Sequence, residues 1–169
     1  MVVETTIRNE QAISIGMAEM VVNKNPSAPL ACLGLGSCIA VCCFDPVAKI
    51  GGMVHVVLPN SEGKDGVQPT KYADRAVPLL IEEIRKLGGM KSRIVAKLVG
   101  GAQLTVAPGL NDMFKTGERN LEETEKALQA AGIRIVATDV GGSKGRTVYM
   151  YLDNGVVEVK IAGGISQVL

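Results

Sequence analysis

Leu30–Pro59, LACLGLGSCIAVCCFDPVAKIGGMVHVVLP, is the stretch whose reading decides the fold. Two apolar runs, Ser37–Phe44 and Gly52–Leu58, flank Asp45-Pro46-Val47-Ala48. Asp at the first and Pro at the second position favour a type I turn, and the two runs read as a β-hairpin. Pairing Asp45 with Ala48 carries the ladder back to Cys38 directly opposite His55, the one histidine of the chain. Opposed side chains have Cβ atoms roughly 4.5–5.5 Å apart, within reach of a thiol–imidazole hydrogen bond. The inference depends on register, since a loop of odd length turns the two side chains to opposite faces.

The chemistry of such a pair is specific. A free thiol near pKa 8.5 is only a few per cent ionised at neutral pH, whereas pairing with histidine can bring it to roughly 3.5–7.5. Gly34 and Gly36 leave the backbone N–H groups of Gly36 and Ser37 free to face a developing oxyanion next to Cys38. A Cys and a His on one hairpin can equally be a packed, unreactive pair, and spacing leaves both readings open. GLGSC is not a dinucleotide-binding loop, because Ile39 stands where GxGxxG needs glycine and a strand follows instead of a helix. Ser37 lacks the GxSxG elbow of a serine hydrolase.

The remaining composition bounds the class. With 169 residues, 47% hydrophobic, 3% aromatic, no Trp and 20 Gly, the chain reads as one domain with a core of Val, Ile, Leu, Ala and Met. Eighteen Lys and Arg against 17 Asp and Glu give no global field to attract nucleic acid or anionic lipid. No apolar run approaches the ~20 residues that span a bilayer, and Val3–Gln11 lacks the pattern of a signal peptide, so the expected location is the cytoplasm. The four cysteines, Cys32, Cys38, Cys42 and Cys43, include no CxxC pair and have one histidine to assist them, which argues against a metal site. Clustering on one segment, in a reducing compartment, argues against a disulfide framework.

In chain order, Ala12–Val22 reads as a strand or a bent pair, Asn23–Pro29 as a loop and Leu30–Leu33 as a short strand. Asn60–Pro69 reads as an exposed connector placed where it could gate the site. Thr70–Leu87 is an amphipathic helix, with Thr70 as its cap, Leu87 on the apolar face, Gly88-Gly89 as its stop and Pro78 on the solvent side. Ile94–Val99 is a strand ending in glycines that permit close backbone approach. Gln103–Lys115 is an apolar loop, suited either to packing on the core or to a partner. A second helix runs from Glu118 or Asn120 to Ala131, and Ile133–Val140 is a strand. In GGSKG and its flank, Lys144 and Arg146 read as solvated. Asn154-Gly155 joins strands Thr147–Leu152 and Val156–Ile161, and the tail after Gly163 should fray. The elements add up to an α+β layered domain with a mixed, hairpin-rich sheet and two long amphipathic helices.

Six segments carry a family resemblance: GLGSC (34–38), GGMVHVVLP (51–59), KYAD (71–74), AKLVGGA (96–102), GERN (117–120) and DVGGSKGR (139–146). Together they resemble the CheD family of bacterial and archaeal chemotaxis, in order along almost the whole chain. The resemblance implies a three-layer α/β sandwich similar to the catalytic domain of the cytotoxic necrotizing factor toxins. It implies a chemoreceptor glutamine deamidase in which Cys38 is the nucleophile and His55 the base. No metal or organic cofactor is expected, and the implied partners are methyl-accepting chemotaxis receptors and the phosphatase CheC. Two departures stand out. The family places a threonine six residues before the nucleophile as third catalytic member, and here that position is Cys32. Where relatives often read GGAxMF, this chain has GGAQLT, so a partner surface at Gln103, Leu104 and Phe114 lacks the usual aromatic. Two further readings compete: a non-catalytic module that binds CheC or receptors, and a thiol redox sensor built on the cysteine cluster.

Overall fold

The computed structural model describes residues 11–104 and 115–169. Phe114, with Val106, Leu110 and Met113 of the expected apolar loop, lies outside the described residues. Among the described residues, two five-stranded sheets and two α-helices form three layers. One sheet joins β1 (Ile13–Ser14), β3 (Leu30–Leu35), β8 (Arg146–Met150), β9 (Val157–Ile161) and β10 (Ser166–Val168) in that order. The other joins β2 (Met20–Asn23), β5 (Ile50–Val56), β4 (Ile39–Asp45), β6 (Val95–Gly100) and β7 (Arg134–Val140). Helices α1 (Ala73–Lys86) and α2 (Thr116–Ala130) cover the outer face of the second sheet. The single hairpin-rich sheet of the sequence reading is thus two sheets. Each is mixed, through the parallel pairs β1–β3 and β6–β7.

β4 is the centre of the molecule, and its sequence shows why. Every residue from Ile39 to Asp45 is buried, so the strand reads as a continuous apolar run instead of an alternating one. Ile39, Val41 and Cys43 face the helices, while Ala40, Cys42 and Phe44 face the other sheet. At ~25 cal/mol per Å² of apolar surface removed from water, these two cores supply the main driving force of the fold. The chain changes sheets between β3 and β4, at Gly36-Ser37-Cys38. That short crossover carries the thiol of interest.

The hairpin exists, but its register differs from the expectation. Asp45 pairs with Ile50 and Ala40 with His55, so Cys38 is not directly opposite the histidine. Four residues, 46–49, form the loop, closed by the Lys49 N–H donating to the Asp45 carbonyl with Lys49 at φ 56°. The Asp45 carboxylate accepts from the Val47 and Ala48 N–H groups, from the Met90 N–H and from the Arg93 guanidinium. These contacts hold Asp45 as the last residue of the strand instead of the first of the turn. Because the register moved by two, the faces are preserved. Cys38 and His55 remain on the inter-sheet side as diagonal neighbours, two residues removed from direct opposition.

The helices also refine the reading. Thr70 does not cap α1; its hydroxyl donates to the Ala18 carbonyl, and Pro69–Lys71 forms a separate 3₁₀ turn. Leu87 lies past the last turn and is 40% exposed, so it does not join the apolar face. Both helices end alike, with the Gly89 N–H donating to the Ile84 carbonyl and the Ile133 N–H to the Leu128 carbonyl. Pro78 is exposed, as expected. The connector after β5 is pinned: Asp74 accepts from the Ser61 N–H and hydroxyl, and Arg75 donates to Ser61 and to the Lys64 carbonyl. Met150 pairs with Val157, so Asn154-Gly155 lies in a longer loop than a two-residue turn. The tail pairs with β9 as β10 instead of fraying freely, although its residues are exposed.

Candidate active site

The site is built on the crossover. Three successive carbonyls of the turn are all engaged: Gly36 accepts from the Ala102 N–H at 2.9 Å, Ser37 from the Asn120 Nδ2 at 2.9 Å, and Cys38 from the Gly101 N–H at 2.9 Å. This holds the peptide planes of 36–38 with their N–H groups turned the other way. Gly100, at φ +119°, is required here, because a Cβ on it would overlap the Cys38 carbonyl. Gly117 has the same role at the start of α2, where a Cβ would lie 2.6 Å from the Gly101 carbonyl oxygen. The close backbone approach expected of Gly100-Gly101 is therefore directed at the Cys38 turn.

Cys38 is half-buried, while Cys32, Cys42 and Cys43 are buried, and all four are free thiols. Burial pushes Cys32 and Cys43 up to about 12 and raises Cys42 well above its ordinary value. Burial also raises Cys38, offset only in part by its own backbone N–H, which bonds the sulfur. The direction is opposite to the depressed thiol expected from histidine pairing. His55 explains why. Burial lowers its pKa, and neither the backbone of Ile15, which hydrogen-bonds the ring, nor the nearby Glu19 charge reverses this. Its Nδ1 is buried and has no partner among the described groups, so the Ile15 contact is made by the other nitrogen. The thiol and the imidazole, diagonal neighbours on one face, are thus both neutral near pH 7, and the imidazole Nδ1 is free to accept a proton.

Cys32, in the third-member position, lies close enough to Cys38 to feel its charge, but its thiol donates to the Met53 Sδ at 3.3 Å. The group that fixes the imidazole is the Ile15 backbone, a position the sequence reading did not single out. Gly36 and Ser37 form the turn itself. The Gln103 N–H donates to the Gly142 carbonyl, and Leu104 is 57% exposed with its side chain over Gly36.

Two more groups were not legible beforehand. Asn120 is fully buried and its Nδ2 bridges the Ser37 and Val57 carbonyls, at 2.9 and 3.0 Å. Stepping back by four from the buried Thr124 places Asn120 on the inner face of α2, so helical periodicity could have found it. Arg146, expected in solvent, is buried: it forms an ion pair with Asp139 at 3.1 Å and donates to the Gly141 carbonyl at 2.8 Å and the Gly100 carbonyl at 3.4 Å. Lys144 is exposed, as expected. Among the described residues no three His, Cys, Asp or Glu side chains converge on a metal position, and no helix is long and apolar enough to cross a membrane. A cavity of about 550 Å³ between α1 and α2, lined by Pro78, Ile81 and Ala127 among others, includes neither Cys38 nor His55.

Comparison with known proteins gives concordant relatives. The profile of a family described as CheD chemotactic sensory transduction matches residues 57–161. The chemoreceptor glutamine deamidase CheD of Thermotoga maritima is 45% identical over 153 residues, 90% of this chain and 94% of its own. A protein of Desulfitobacterium hafniense, named probable chemoreceptor glutamine deamidase CheD, is 45% identical over 148 residues, 88% of this chain and 92% of its own. One of the same name from Archaeoglobus fulgidus is 42% identical over 152 residues, covering 90% and 94%. Alignments of this length necessarily include the segment from Cys38 to His55. The solved structure of the Bacillus licheniformis hypothetical protein YfiH aligns with 73% of this chain and 51% of its own, at 16% identity and a TM-score of 0.47, too loose a likeness to argue from.

Proposed function

We propose that this chain, which belongs to the CheD family of chemotactic sensory transduction proteins, converts glutamine side chains of methyl-accepting chemoreceptors to glutamate through Cys38 and His55. The observation that carries the reading is the half-buried Cys38 on the crossover, on the same inter-sheet face as a neutral His55 with an unpartnered Nδ1. The names of the relatives supply the substrate class.

A general-base route follows from the electrostatics. As Cys38 Sγ attacks the carboxamide carbon, its proton passes to His55 Nδ1, and the C=O π pair moves onto oxygen. The Ser37 and Cys38 N–H groups, whose peptides are held from the carbonyl side, meet that oxyanion; one such donor can be worth ~3 kcal/mol. His55 then protonates the departing nitrogen, ammonia leaves, and a thioester remains. Water, deprotonated by His55, cleaves the thioester to give glutamate and restores the thiol. The Ile15 backbone holds the imidazole in the tautomer that leaves Nδ1 unprotonated, and Cys32 is a packing residue beside Met53. Each turnover adds a negative charge to a receptor helix, which is how the reaction would adjust chemotactic adaptation. The same reading places the protein in the cytoplasm and makes the phosphatase CheC a partner, docking near Gln103 and Leu104.

Incubation with purified receptor cytoplasmic fragments, followed by intact mass, tests the activity. The expected result is a ~1 Da increase per glutamine converted. No increase on any receptor fragment from the same cell would overturn the reading.

A further inference from the structure

Asn120 stands apart from the rest of α2. On its inner face the helix carries Gly117, Asn120, Thr124 and Leu128, and Asn120 is the one that reaches the crossover. Its amide donates to two carbonyls from different elements: Ser37, one residue before the thiol, and Val57, two residues after His55. The Ser37 carbonyl and the Cys38 N–H belong to one rigid peptide plane. A donor on that carbonyl therefore sets where the Cys38 N–H points, and it polarises the N–H as hydrogen bonds in series do. The Cys38 N–H lies on the side of its own sulfur, which is the side on which a carbon bonded to that sulfur carries its oxygen.

We infer that Asn120 is a positioning residue for the reaction: its amide fixes the Ser37–Cys38 peptide so that the Cys38 N–H meets the oxyanion, and it ties that peptide to the end of the His55 strand. The inference rests on the Cys38 nucleophile of the reading above. It goes beyond a structural role in one measurable way. A step that passes through an oxyanion depends on Asn120, whereas a displacement at the same sulfur does not.

Two small reagents separate these cases without any receptor. p-Nitrophenyl acetate acylates a thiol through a tetrahedral oxyanion: the S–C bond forms, the C–O bond breaks, and p-nitrophenolate leaves while the thiol proton passes to His55 or water. Iodoacetamide alkylates the same sulfur by direct displacement of iodide. The full-length protein and its Asn120→Ala and Asn120→Asp variants are treated with each reagent, and modification of Cys38 is followed by peptide mass. The ratio of the acylation to the alkylation rate cancels any change in thiolate fraction or access. The ratio is expected to fall about 10²-fold in both variants, the size of effect seen when one oxyanion donor is lost. Asn120→Asp keeps the side-chain shape, so it serves if Asn120→Ala does not fold. An unchanged ratio overturns the inference, whether both rates hold or both fall together, since the second outcome is what mere loosening of the turn produces. Failure of the wild-type protein to deamidate receptors would overturn the proposed function but leaves this ratio readable.

Discussion

At the residue scale, the proposed reactive pair differs from a preformed ion pair. Cys38 is held above its ordinary pKa of 9.0 by burial, and His55 is held below 6.5 by the same cause. Both groups are neutral near pH 7, so in the proposed mechanism the proton moves only as the substrate is attacked. Alkylation of Cys38 by iodoacetamide in the free protein should therefore keep rising, about tenfold per pH unit, through pH 9. A plateau below about pH 7.5 would instead reveal a thiolate–imidazolium pair. His55→Gln should lower receptor deamidation by roughly 10²–10⁴-fold, the contribution of a positioned general base, and loss of less than tenfold would remove His55 from the proton path. That Cys38 and His55 share one face of the β4–β5 hairpin was legible in the sequence, from the turn at Asp45-Pro46 and the alternation of the two strands. Their electrostatics were not, because the shift comes from burial between two sheets, opposed by the Ile15 backbone that reaches the ring from just past β1.

At the scale of elements, the β4–β5 turn shows what fixes a register. Asp45 is fully buried, and burial alone would raise its pKa; hydrogen bonds from Arg93, Met90, Ala48 and Val47 outweigh that and bring it to about 2. A carboxyl with a folded pKa below its unfolded value of 3.8 stabilises the fold above pH 4, and the contribution disappears as pH falls through about 2. Two units correspond to roughly 2–3 kcal/mol. Urea unfolding at pH 7 and pH 2.5 should show the wild type losing roughly two-thirds of that increment and Asp45→Asn losing much less over the same interval. Arg93→Ala should cost about 3 kcal/mol at pH 7, since it leaves a buried charge short of its partner; a loss under about 0.5 kcal/mol would contradict the role given to Asp45. The sequence marked this turn correctly from Asp45-Pro46. It could not mark the register, because the contacts that make Asp45 a strand residue come from Met90 and Arg93, far along the chain.

At the scale of the molecule, two sheets meet around a strand that is apolar on both faces, and the site lies where the chain passes from one sheet to the other. Arg146 closes that end. It joins Asp139 to the carbonyls of Gly100 and Gly141, and so supports the Gly100–Ala102 backbone that holds the Cys38 turn. Arg146→Ala should lower stability by about 3 kcal/mol and depress receptor deamidation, read from the melting midpoint and from kcat. Unchanged stability would mean that the clamp is idle. The layered α+β class and both helices were legible from apolar periodicity and glycine stops. The division into two sheets was not, since strands of either sheet carry the same local pattern and only tertiary pairing separates them. Arg146 was misread for a related reason: a basic residue beside GGSKG looks solvated until Asp139 and the carbonyls of Gly100 and Gly141 are brought to it.

The central claim is that Cys38 is the nucleophile of a receptor deamidase. Site-resolved mass spectrometry of a receptor fragment, treated in parallel with wild-type protein and a folded Cys38→Ala variant, tests it most directly. Conversion of specific glutamines to glutamate by the wild type, with none above background for Cys38→Ala, is the predicted result. Conversion of the same glutamines by Cys38→Ala at a comparable rate would contradict it.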